Sequence, residues 1–126
     1  MQITVNQTSV DSLVAFGTQA TILLCAGQIS QLAEQYGYAL AHGREPSLAI
    51  QEELAESLSQ LGASSVLEPQ AAPPRVSYFK PNNTGLFALV EQHIPTDNGK
   101  HVLLELIVTG SGPQKFVTLE QVSAVA

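Results

Sequence analysis

Few side chains in this chain can do chemistry, and they lie far apart in the sequence. His93 and His101 flank a polar loop in "HIPTDNGKH", and Cys25, the one thiol, sits in "TILLCAG". "AHGREP" holds His42, Arg44 and Glu45, and "SYFKPNN" sets Tyr78, Phe79 and Lys80 beside an amide-rich turn. A histidine pair can ligate a metal or exchange protons. To do so here, His93 and His101 would need Glu91, Glu105 or Asp97 to converge on them. Strand pairing decides whether the two rings meet. With a two-residue Asn98-Gly99 turn, the strongest short hairpin signal, His101 faces Thr96 and Glu105 faces Gln92. With a four-residue Thr96–Gly99 loop, His101 faces Ile94. In neither register does His93 stand opposite His101, so the expectation is two histidines at a hairpin end and no metal.

The other constellations are weaker. A nucleophilic thiol needs a base and a polar, partly exposed setting, whereas Cys25 has Leu23, Leu24 and Ala26 for neighbours and is read as a small core residue. "TGSGPQK", Thr109 to Lys115, lacks the Gly-Lys-Ser/Thr ending of a phosphate loop and joins two strands, so it is read as a hairpin turn. Arg44 beside a helix N-terminus could hold an anion; the plainer expectation is a surface pair with Glu45. Tyr78, Phe79 and Lys80 suit a recognition patch, because Tyr and Phe are common interface anchors. No serine–histidine–aspartate set, paired carboxylates, dinucleotide fingerprint or metal-ligand spacing is found. The expectation is a protein that is not an enzyme and needs no cofactor.

Composition narrows the partners. The 126 residues suit one domain. Only 13% are charged, against about a quarter in ordinary soluble domains, while glutamine occurs twelve times. An amide- and hydroxyl-rich surface is less costly to desolvate than one of Lys and Glu, and charge depletion marks interface cores. The net charge of −6 and five scattered basic residues exclude the clustered cations that nucleic acid or an anionic membrane requires. The N-terminus has no basic segment leading into an apolar run, and Leu13–Ile29 is interrupted by Thr, Gln and Gly. A cytoplasmic setting without a membrane span is expected.

The elements that would position these residues divide the chain in two. Residues 1–62 read as mainly helical, residues 63–75 as a Pro/Ala-rich spacer, and residues 76–126 as sheet. "QITV" has the makings of a short edge strand. From Ser9 or Asp11 to about Gln35, Leu13, Phe16, Ala20, Leu23, Leu24, Ile29, Leu32 and Ala33 recur at helical spacing. Gly17 and Gly27 each cost about 1 kcal/mol inside a helix, so either the helix breaks at one of them or they admit a second backbone. A second helix starts at Pro46 or Ser47 and ends at Gly62, with Ile50, Leu54, Leu58 and Leu61 on one face and Glu52, Glu53 and Glu56 on the other. The spacer is either a flexible linker or an extended arm packed on the body or on a neighbouring subunit.

Four β-type runs follow, with separators rich in Gly, Asn and Pro, which implies an antiparallel meander. The two central runs are apolar on both faces, so something should cover each. The expected architecture is α+β: two N-terminal helices on a three- to four-stranded antiparallel sheet. The expected function is non-enzymatic, that of an interaction or adaptor protein that self-associates as a homo-oligomer. The alternative is a small-molecule or anion binder whose pocket between helices and sheet gathers Arg44, Tyr78, Lys80, His93 and His101; a small hydrolase-like enzyme ranks last.

Overall fold

The polar loop between the two histidines organises one end of the molecule. In the computed structural model, which describes residues 1–70, 72–110 and 112–125, β3 (Leu86–Pro95) pairs antiparallel with β4 (His101–Thr109). The loop is neither of the two expected lengths. Thr96 N–H donates to Lys100 O and Gly99 N–H to Thr96 O, and Gly99 is left-handed at φ 82°. This is a three-residue hairpin, a turn followed by a glycine bulge. The pairing therefore becomes Pro95 opposite His101, His93 opposite Leu103 and Glu91 opposite Glu105.

Among the described residues the sheet has five strands, with β1 (Gln2–Thr4), β2 (Arg75–Tyr78) and β5 (Gln114–Val125) joining β3 and β4 in the order β1-β5-β4-β3-β2, every pair antiparallel. β2 and β5 complete the expected meander. The fifth strand is β1, the "QITV" segment, which returns to pair with residues 114–116 at the far edge. The class is α+β, with one strand more than the three or four expected.

Among the described residues there are three α-helices, besides a 3-10 turn at Val5–Gln7. Ser9 accepts the Ser12 N–H and starts α1 (Val10–Cys25). The helix runs through Gly17 and ends at Cys25, just before Gly27, whose φ of 75° no right-handed helix accommodates; α2 (Ile29–Tyr36) follows. The Tyr36 hydroxyl, donating to Phe16 O at 3.0 Å, ties α2 back to α1. Helix α3 (Pro46–Leu61) has Pro46 in its first turn and left-handed Gly62 at its end. Ala63 N–H reaches back to Leu58 O, which completes a Schellman cap.

All three helices lie on one face of the sheet. Ala88, Val90 and Ile94 of β3, Val102, Leu104, Leu106 and Val108 of β4, and Val117, Leu119 and Val122 of β5 point into that face. They meet Leu13, Ala20, Leu23 and Leu24 of α1, Ile29, Leu32 and Tyr36 of α2, and Ala49, Ile50 and Leu61 of α3 in one buried core. β5 is bulged opposite the Glu105/Leu106 step. There the loop between α2 and α3 docks, with Ala39 N–H donating to Leu119 O and Val122 N–H to the Tyr38 hydroxyl.

The spacer is an arm packed on its own body. Val66 bridges Thr96, Leu67 N–H donates to Pro95 O at 2.8 Å, and Asp97 N–H donates to Ser65 O. The Asp97 carboxylate accepts from Ser64 N–H, and the Asn98 amide donates to Leu61 O at the end of α3. Farther on, Pro74 presses onto α1 at Gly17. A β-carbon there would stand 3.0 Å from the Pro74 ring and 2.9 Å from Val90.

Candidate functional site

The sheet face away from the helices has no element over it among the described residues. The strand register arranges its side chains in rows. Leu86, Thr109, Phe116 and Gln2 form the first; Ser77, Leu89, Ile107 and Thr118 the second. Arg75, Glu91, Glu105 and Gln121 form the third, followed by His93, Leu103 and Ser123, then Pro95, His101 and Val125. An acidic row thus separates two apolar zones. Phe116 is 47% exposed and Leu86 39%, values at which large apolar side chains contact water over much of their surface.

Glu91 directly faces Glu105, an unfavourable like-charge pair. The Gln121 amide donates to Glu105 and relieves it in part. His93 and His101, two positions apart across the strand pair, share this face because the loop has an odd number of residues. Their rings meet edge-on, with centroids 6.0 Å apart and planes at 88°. Either of the even loops would have put them on opposite faces. Among the described residues, no group of three or more His, Cys, Asp or Glu is placed to hold a metal.

Arg44, Tyr78 and Lys80 are not near the histidines. Arg44 lies at the start of α3, where Nη1 bonds Glu52 at 2.9 Å, Nη2 bonds Glu53 at 3.0 Å and Leu40 O, and Nε bonds Ala41 O. The partners of Arg44 are therefore Glu52 and Glu53, not Glu45 as expected. Glu45 caps α3 instead: it accepts from the Ser47 hydroxyl and Leu48 N–H, and those bonds hold its carboxyl below the usual range. A carboxylate already occupies the place an anion would take.

Tyr78 ends β2, its hydroxyl donating to Thr8 O at 2.7 Å and its ring edge-on to Phe87 at 5.7 Å. Phe79 is 40% exposed beside it, and Lys80 lies in the exposed turn that follows. Five residues of β3 separate this corner from His93, about 17 Å at strand rise. β4 and β5 pair antiparallel, so Thr109–Lys115, of which Ser111 lies outside the described residues, joins two neighbouring strands. Its lysine turns inward, with Nζ donating to Gly110 O at 2.6 Å and lying 4.6 Å from the Phe87 ring centre. The Cys25 thiol is pushed up to about 11 by burial and by the Glu68 carboxylate, the opposite of what a nucleophile needs.

Two features escaped the sequence. One is the acidic row, because it depends on register. The other is Gln92, a glutamine in the inward series Ala88, Val90, Ile94, where an apolar residue is expected; that break in alternation was its only signal. Comparison with protein-family models, with curated proteins and with solved structures finds no match. No helix among the described residues is long and apolar enough to cross a membrane.

Proposed function

We propose that the protein is a non-enzymatic interaction protein of the cytoplasm that self-associates through the open face of its sheet. The observation that carries this reading is the uncovered pair of apolar zones, Leu86, Leu89, Ile107 and Phe116 on one side of the acidic row and Leu103 and Val125 on the other. Four strands at about 4.8 Å spacing and ten residues at about 3.4 Å rise give a face on the order of 600 Å². That approaches the roughly 800 Å² per partner of a standard interface.

A contact made by the same face of two copies is isologous, closed by a single two-fold axis. Light scattering coupled to size exclusion, at tens of micromolar, tests the reading. A dimer that Leu103→Lys or Ile107→Lys converts to monomer is the expected result. A wild-type mass of 13.4 kDa at that concentration overturns it.

A further inference from the structure

We propose that the groove between α1 and the proline arm binds a small organic cation, an amine or guanidinium on an apolar body. The groove has a volume of about 480 Å³ and is lined by Thr18, Thr21 and Ile22 of α1, by residues 68–70 and 72–74 of the arm, and by Gln92 of β3. That volume lies within the range of small-molecule sites. The site is separate from the open sheet face, and neither proposal depends on the other.

Gln92 is the residue that needs an explanation. Its side chain enters the core face of β3 and the residue is only 4% exposed. Burying an amide is unfavourable unless both of its ends find partners. Nε2 donates to Ala72 O at 3.3 Å and His93 O at 2.9 Å. Two carbonyl oxygens at that end decide which atom is nitrogen. Oε1 accepts nothing from the described residues, and it is not sealed off, since no enclosed side-chain polar atom lacks a partner. Gln92 is among the residues that line the groove.

The rest of the lining presents acceptors as well. Thr21 gives its hydroxyl proton to Gly17 O at 2.8 Å, which leaves the oxygen lone pairs to accept. Pro69, Pro73 and Pro74 have no N–H to offer. Glu68, exposed at the mouth, is the sole charged residue of the lining. A ligand that brings N–H donors and positive charge satisfies all of these groups. An anion would find donors in the Gln70 amide and the Thr18 hydroxyl but would meet the Glu68 carboxylate at the mouth. Ile22, 46% exposed, and the proline rings supply the apolar wall for the ligand's carbon body.

The test is an NMR titration of the isotopically labelled full chain with benzylammonium, set against benzoate and benzyl alcohol at matched ionic strength. Saturable shifts of the Gln92 side-chain amide and the Thr21 and Ile22 backbone amides are expected with benzylammonium. Glu68→Gln, at an exposed position, should weaken binding about three- to five-fold. Gln92→Leu should abolish it. The proposal is overturned by absence of saturation up to about 20 mM, by equal or tighter binding of benzoate or benzyl alcohol, or by an affinity that Glu68→Gln leaves unchanged.

Discussion

Replacing Gly17 by alanine sets two effects of opposite sign against each other. In an isolated helix, Gly→Ala at an interior position is stabilising by about 1 kcal/mol. In this fold the new methyl would stand 2.9 Å from Val90 Cγ1 and 3.0 Å from both Cβ and Cγ of Pro74, well inside the roughly 3.5–4.0 Å optimum for carbon contacts. Neither neighbour can step aside: Val90 is a buried, β-branched residue of a central strand, and the Pro74 ring has no rotamer to change. Overpacking of this kind costs about 1–3 kcal/mol. The cost exceeds the helical gain, and a net loss of about 1 kcal/mol follows. For a domain of this size that lowers Tm by about 4 °C. Thermal unfolding followed by circular dichroism reads it directly. The double variant with Val90→Ala should lose less than the sum of the single losses, because the second change opens the space the first requires. An unchanged or higher Tm for Gly17→Ala would refute the reasoning, since it would mean that the arm does not press on α1.

Three further outcomes are expected. Asn98→Ala removes the donor to Leu61 O and the acceptor for the Thr96 hydroxyl; it should cost about 1 kcal/mol in urea unfolding at unchanged m, and no shift in midpoint would show that the hairpin loop does not anchor α3. The Cys25 thiol, raised from an ordinary 9.0 to about 11, should alkylate about 100-fold more slowly in native protein than in urea at pH 8, and stoichiometric native labelling at the unfolded rate would contradict its burial. The same shift means the folded state holds the thiol proton more tightly. Its stabilising contribution is therefore complete below pH 9 and is lost as pH rises towards 11, which a Cys25→Ala variant should not show in the difference between the two denaturation profiles.

The sequence by itself determined the local structure. The recurrence of Ile50, Leu54, Leu58 and Leu61, with Pro46 before and Gly62 after, is sufficient for α3, because period and end signals act within a few residues of one another. Alternation and turn residues likewise settle the β-runs and the meander, and apolar residues on both faces of β3 and β4 already imply a face that the helices leave open. Tertiary structure decided everything that depends on one residue more or less. Asn98-Gly99 marks a hairpin but not its length; the Asp97 and Asn98 side chains, bonded to Ser64 and Leu61, select the three-residue loop. That choice alone brings His93 and His101 to one face and sets Glu91 against Glu105, since a shift of one residue reverses every side chain of a strand. Arg44 could have met Glu45, its neighbour in sequence. It meets Glu52 and Glu53 because α3 carries them back past the loop, while Glu45 is drawn to the free N–H groups of the helix it begins. The groove has the same origin: Gln92 and the proline arm are 20 residues apart along the chain, and only packing of the arm across α1 and β3 gives the glutamine its two carbonyl partners.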